Sequence, residues 1–90
     1  MKILIEKKKD FPRAVFEVSV DGDTATTHEV SLEEDYYKRL TGSEITPENL
    51  VKKSFEFLLM REPNTSILKE FNLKLINRYF PDYEDKIKTG

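Results

Sequence analysis

The sequence predicts an α+β domain, in which an antiparallel three-stranded meander is followed by a layer of three to four helices. The N-terminal third shows the two-residue alternation that is typical of strands. The remainder shows helical spacing of apolar residues together with capping signals. The chain has 90 residues, the size of one domain, so we expect residues 1–90 to form a single domain around one core.

Three segments predict the strands of the meander. Residues 2–8 predict a strand with Ile3 and Ile5 on one face and Leu4 on the other, and residues 14–20 place an apolar side chain at every second position. Asp21-Gly22-Asp23 predicts a hairpin turn, because glycine tolerates the positive φ that such turns require. Residues 24–32 are rich in Thr and Val and predict the returning strand.

The second third predicts two helices with clear ends. Glu33-Glu34-Asp35 supplies the acidic first turn that a helix dipole favours, and Gly42 predicts the end of this short helix. Thr46 followed by Pro47 is an N-cap residue with proline at the first helical position. The helix predicted over residues 47–61 carries apolar residues over a broad arc, which indicates a core helix covered on more than one side.

The last third predicts shorter helical pieces. Asn64-Thr65-Ser66 is interpreted as the cap of one further turn, which carries Ile67, Leu68 and Phe71. Asn72 predicts the N-cap of a helix over residues 73–80, and Pro81-Asp82 predicts the start of a last turn. No repeat or linker interrupts this order.

Composition and charge narrow the classes of protein. The chain is 38% hydrophobic and 36% charged, and its longest apolar run is far shorter than the about 20 residues of a membrane helix. The apolar run near the N-terminus is shorter than the apolar segment of a signal peptide. The absence of cysteine excludes disulfides and thiol chemistry and fits a reducing compartment. We therefore expect a soluble cytoplasmic protein without a membrane partner.

Few residues suggest catalysis or ion binding. His28 is the only histidine, and we expect it to be partly buried in the third strand opposite Phe16. Its neighbour Glu29 points to the other face of that strand, so it cannot easily orient the imidazole. The acidic clusters lack the about six to eight oxygen ligands of a calcium site, and the glycines are too scattered for a phosphate loop. We expect no enzyme, no cofactor and no metal.

Nucleic-acid binding is the alternative that the sequence leaves open. Tyr36-Tyr37-Lys38-Arg39 and Arg78-Tyr79-Phe80 combine aromatic and basic side chains, as single-stranded nucleic-acid binders do. Residues 26–32 followed by two helices also have the order of a ribbon-helix-helix regulator. Against this, Glu29 lies in that strand without any Lys or Arg, and the pI is about 5.4. Tyrosines at helical spacing are also more often core residues.

Several segments together resemble a family of small uncharacterised prokaryotic proteins. The resemblance rests on residues 54–68, Phe71-Asn72, Arg78-Tyr79-Phe80-Pro81, Tyr83, His28-Glu29-Val30 and Tyr36-Tyr37, and it spans about residues 28 to 87. The resemblance implies no assigned activity, cofactor or catalytic residue. It therefore supports only an uncharacterised function for this chain.

Polar residues inside these segments are candidates for a contact surface. They are Arg61, Asn64 and Arg78, with Lys38 and Arg39 from the first helix. The presence of these residues is also explained without any partner, because polar side chains cap helices and basic side chains stabilise the negative end of the helix dipole. We predict a non-enzymatic protein-interaction or regulatory domain that binds a protein partner. A second copy of the chain is one such partner, and the resulting homodimer would form through a strand edge or through the broad apolar helix. An antitoxin-like nucleic-acid binder is the alternative.

Overall fold

The structure is a computed structural model that describes residues 2–89. It has one four-stranded sheet, in the order β1-β2-β3-β4, with helices packed against one face. The elements in chain order are β1 (Lys2–Lys9), β2 (Arg13–Asp21), β3 (Thr26–Glu33), α1 (Glu34–Thr41), α2 (Pro47–Leu59), β4 (Glu70–Asn72), α3 (Ile76–Tyr79) and α4 (Tyr83–Thr89). Single 3-10 turns lie at Asn64–Ser66 and Leu73–Leu75. The predicted α+β class and the antiparallel β1-β2-β3 meander are confirmed.

The register between β2 and β3 differs from the predicted one. His28 pairs with Val18, and Phe16 pairs with Val30, so the predicted pairing of His28 with Phe16 is wrong. The reason is the connection, because residues 22–25 form a loop of four residues and Gly22 does not adopt a positive φ. The predicted face of the strand is still correct, because His28 lies with Val30 and Leu32 on the helix-covered face of the sheet.

The fourth strand corrects the prediction of a helical turn around Phe71. The chain is extended here, and Glu70–Asn72 pairs with β3 in the parallel direction, with Phe71 opposite Val30. The spacing of the apolar residues fits a helical turn as well as it fits a short strand. Residues 70–72 form a strand rather than a helical turn because they pair with the free edge of β3. The chain returns to that edge only after the crossover connection that contains α1 and α2.

The core lies between the sheet and α2. Thr46 caps this helix as predicted, because its hydroxyl accepts a hydrogen bond from the Asn49 N–H at 3.1 Å. The helix ends at Leu59, two residues before the predicted end. Its apolar arc is buried within the chain itself, against the residues of β2 and β3 that point to the same side. These core residues include Leu50, Val51, Phe55, Phe57 and Leu58 from the helix and Ala14, Phe16, Val18, Val20, Val30 and Leu32 from the strands.

The remaining helices pack around α4, which contacts α1, α2 and α3. Gly42 ends α1 with φ +63°, and its N–H donates to the Lys38 carbonyl at 2.8 Å. Asn72 caps the turn before α3, where its side chain accepts from the Lys74 N–H at 3.2 Å. Both helix ends were predicted from sequence. Tyr83 at the start of α4 is fully buried.

Candidate functional site

An apolar groove lies between the end of α2, the segment that precedes β4, and α3. Its volume is about 430 Å³, and Leu58, Ile67, Leu68, Phe71, Ile76 and Tyr79 are among the residues that line it. Leu68 and Tyr79 are 49% and 65% exposed, although both are large and apolar for most of their surface. The groove therefore presents apolar side chains to solvent beside a sheet edge.

A buried polar network fixes the segment that forms one wall of the groove. The Leu68 carbonyl can only accept, so the hydrogen bond of 2.8 Å to His28 places the imidazole proton on Nδ1. His28 Nε2 lies 2.8 Å from the Thr26 hydroxyl. That hydroxyl in turn accepts from the Asn64 side-chain amide at 2.9 Å. The Thr26 proton is then available to His28, and the three side chains form one chain of hydrogen bonds.

His28 thus ties the residues before β4 to the sheet. The side chain is 1% exposed, so it is fully buried rather than partly buried as predicted. Its ring also packs against Phe55, with ring centroids 5.5 Å apart. Both ring nitrogens are engaged within the fold, and this makes His28 a residue that shapes the groove.

Beside the groove, β4 forms an open edge of the sheet. The Glu29 N–H donates to the Lys69 carbonyl at 2.7 Å. This hydrogen bond determines which residues of β4 point their backbone groups toward β3 and which point them away, because successive residues of a strand alternate in this respect. In that alternation the backbone N–H and C=O of Phe71 point toward β3. The N–H and C=O of Glu70 and the N–H of Asn72 therefore point away from the sheet, on the side where residues 2–89 provide no further strand.

The face of the sheet opposite the helices carries one glutamate from each strand in a single line. Glu6 is opposite Glu17, Glu17 is opposite Glu29, and Glu29 is opposite Glu70. We call these four residues the glutamate row. Like charges directly opposite one another destabilise a sheet. Hydrogen bonding to Glu70 and repulsion by its charge raise the pKa of Glu29.

Positively charged side chains balance the negative charge of the glutamate row at one end only. At the β1 end, the Lys8 ammonium lies 3.1 Å from a carboxylate oxygen of Glu6. Within residues 2–89, no such ion pair is present for Glu17, Glu29 or Glu70. The negative charge is therefore least compensated toward β4, which is also the edge that borders the groove.

Two of the predicted contact residues are engaged in intramolecular contacts. The Arg61 guanidinium donates to Asp82 at 3.0 Å and lies 3.6 Å from the centroid of the Phe57 ring. Asn64 is buried, and its amide donates to the Thr24 carbonyl at 2.6 Å as well as to Thr26. These contacts fasten the end of α2 to the chain before α4, and the turn after α2 to the β2–β3 hairpin.

The other three predicted contact residues are exposed. Lys38 lies 3.8 Å from Glu34 on its own helix, and Arg39 lies 3.9 Å from Glu84 on α4. Arg78 lies on α3, in the same helix as Tyr79. The structure therefore distributes these basic side chains over α1 and α3 and provides acidic partners for the first two.

The sequence does not predict that the residues of the groove and of the β4 edge form one site. The sequence predicts Leu68 as part of an apolar helical turn and Tyr79 as part of an aromatic–basic group for nucleic acid, and it does not single out Glu70. The glutamates of β2 and β3 do alternate with apolar residues, which was a visible signal for one acidic face. Their alignment with Glu70 could not be seen, because it depends on the pairing of β4.

Comparison with protein-family models, with curated proteins and with solved structures gives no significant match for this chain. Among residues 2–89, no group of three or more His, Asp or Glu side chains could hold a metal ion. No helix in that range is long and apolar enough to cross a bilayer. The functional interpretation therefore rests on the groove, the β4 edge and the glutamate row.

Proposed function

We propose that this chain is a non-enzymatic, cytoplasmic protein-interaction domain whose partner binds in the apolar groove beside β4. The observation that carries the proposal is the exposure of Leu68 and Tyr79 at a groove of about 430 Å³. Exposed apolar surface of this kind, with polar residues around it, is typical of interaction sites. The lack of cysteine fits the reducing compartment that we propose.

The charges of the surface favour a protein partner over a nucleic acid. Lys38, Arg39 and Arg61 lie within ion-pair distance of carboxylates, which reduces the positive field that phosphates would meet. At the β4 end of the glutamate row, Glu29 and Glu70 have no ion-pair partner within residues 2–89 and add negative charge next to the groove. A nucleic acid would have to approach this surface against electrostatic repulsion, whereas an apolar protein segment would not.

The test uses a photo-crosslinking amino acid, incorporated in separate variants at position 79 and at position 4. Leu4 is a matched control, because it is 56% exposed and lies on β1, at the opposite edge of the sheet. Crosslinking in native cell extract identifies the partner, and its binding is then reconstituted from purified proteins. We expect an adduct from position 79 only. We also expect Leu68→Ser to weaken binding of the purified partner about tenfold or more, while Leu4→Ser leaves it unchanged.

Three results would overturn the proposal. One is a set of adducts that is the same from both positions, which would mean that the groove has no preferred partner. Another is a purified partner that binds the Leu68→Ser variant as tightly as it binds the wild-type chain. The third is loss of the position-79 adduct on nuclease treatment, which would establish the nucleic-acid alternative. An adduct with a second copy of the chain would support the proposal and identify the partner as self.

A further inference from the structure

We infer that the groove receives an extended segment of a partner protein, which adds to β4 as a fifth strand and alternates apolar residues with Lys or Arg. This inference rests on the proposed function and specifies the chemistry of the partner. Three features of the β4 edge support it. They are the outward backbone groups, the apolar groove on one face of the sheet, and the glutamates on the other face.

The backbone of β4 supplies the first feature. The N–H and C=O of Glu70 and the N–H of Asn72 point away from β3. An added strand satisfies such groups at a spacing of about 4.7–4.9 Å, and the main-chain hydrogen bonds contribute affinity without depending on sequence. The opposite edge of the sheet is less suited, because β1 carries Lys7, Lys8 and Lys9, which discourage pairing.

The groove supplies the second feature. Phe71 pairs with Val30 and points to the helix-covered face of the sheet. A strand added beside β4 places every second side chain on that same face, directly over the groove. Leu68 and Tyr79 stand there partly exposed, and an apolar side chain of the partner would bury them. One face of the partner segment is therefore apolar.

The glutamate row supplies the third feature. The remaining side chains of an added strand project to the open face of the sheet, where Glu70 is their nearest neighbour and Glu29 the next. Neither carboxylate has an ion-pair partner in the described chain. A hydrogen bond between the two side chains, together with the repulsion between their charges, raises the pKa of Glu29. Lys or Arg at these positions relieves that repulsion, so the other face of the segment is basic.

The test begins with selection from a phage-displayed library of random dodecapeptides on the wild-type chain. We expect enriched sequences in which Lys or Arg alternates with large apolar residues. A synthetic copy of the best sequence is then measured by fluorescence anisotropy. Glu70→Gln should weaken its binding about two- to fivefold, and added salt should reduce that difference. Glu6→Gln is the matched control, because it removes a glutamate from the far end of the same row and should leave binding unchanged.

Backbone pairing is tested with two N-methylated versions of that peptide. Methyl groups on the amides that face β4 should weaken binding at least about tenfold, because they remove hydrogen bonds and block the approach of the strand. Methyl groups shifted by one residue point away from β4 and should have little effect. Equal binding of the two versions would overturn strand addition.

Two further results would also overturn the inference. One is an absence of enriched peptides, and the other is enrichment of apolar residues at helical rather than alternating spacing. Neither result would affect the crosslinking from position 79, which reports occupation of the groove whatever the conformation of the partner. Failure of this inference is therefore distinguishable from failure of the proposed function.

Discussion

The hydroxyl oxygens of Tyr83 and Ser54 lie 2.6 Å apart inside the core, and this contact joins the start of α4 to the middle of α2. Ser54 donates its own proton to the Leu50 carbonyl at 2.7 Å, so Tyr83 is the donor in the pair. Both side chains are fully buried. Burial raises the pKa of Tyr83 above its ordinary value, so the protonated phenol that donates is favoured still further.

We expect Tyr83→Phe to lower the free energy of unfolding by about 1 kcal/mol, because it removes this hydrogen bond and leaves the ring in place. Tyr83→Ala should cost about 3–5 kcal/mol, since it also leaves a cavity. Urea denaturation gives both values. Tyr79→Phe is the control, because Tyr79 is exposed and its substitution should change stability by less than about 0.5 kcal/mol. Equal stability of Tyr83→Phe and the wild type would contradict this role.

The network around His28 should behave as one unit. His28→Leu leaves the Leu68 carbonyl without its donor, which should cost about 1–3 kcal/mol. Asn64→Ala should cost a similar amount, because the Thr24 carbonyl loses its partner. A double-mutant cycle should show a coupling of at least about 0.5 kcal/mol between them, since both side chains contact Thr26. Strict additivity would mean that the two residues act separately.

A control for the network lies on the same strand. Thr27 is adjacent to His28 but is exposed on the opposite face of the sheet. Thr27→Ala should therefore change the free energy of unfolding by less than about 0.5 kcal/mol. A loss as large as that of His28→Leu would instead indicate that β3 is sensitive to any substitution.

The raised pKa of Glu29 predicts an unusual dependence of stability on pH. The folded state holds the Glu29 proton more tightly than the unfolded state does, so this group favours folding at low pH. That contribution is complete below the unfolded pKa and is lost as the pH rises through the folded pKa of Glu29. Glu29→Gln should therefore stabilise the fold at pH 7 relative to the wild type, and the difference should shrink on mild acidification. Denaturation curves at several pH values measure it, and a constant difference would exclude the mechanism.

The connection after α1 offers a matched pair of substitutions. Gly42 has φ +63° and Ser43 has φ +64°, so two consecutive residues adopt the left-handed conformation. Gly42→Ala should cost about 1 kcal/mol from backbone strain alone, because an added Cβ would meet no atom within 4 Å. Ser43→Gly should relieve strain and stabilise the fold by a similar amount. Thermal unfolding of both variants checks the opposite signs.

Local signals in the sequence predicted the elements whose formation depends on neighbouring residues. The Thr46 cap, the Gly42 helix end and the Asn72 cap involve contacts within four residues, and all three are present. The alternation of β2 likewise identified its buried face correctly. Each of these features has a specific side-chain or backbone requirement that few residue types satisfy.

Features that depend on distant pairing could not be predicted. The register of His28 with Val18 follows from the length of a loop whose glycine does not adopt the expected turn. The strand at Glu70–Asn72 forms only because β3 offers an edge to it. The glutamate row depends on all four strands at once, so no local pattern contains it.

The parallel pairing of β3 with β4 also has a consequence for how the protein opens. The meander closes through short connections, whereas β4 reaches β3 only after the chain has crossed over through two helices, and it pairs through just three residues. We expect this segment to separate from the sheet with a smaller free energy than the meander, and its amide hydrogens to exchange earlier. Such opening destroys the groove and the edge together, so a bound partner also slows hydrogen exchange and proteolysis throughout residues 64–72.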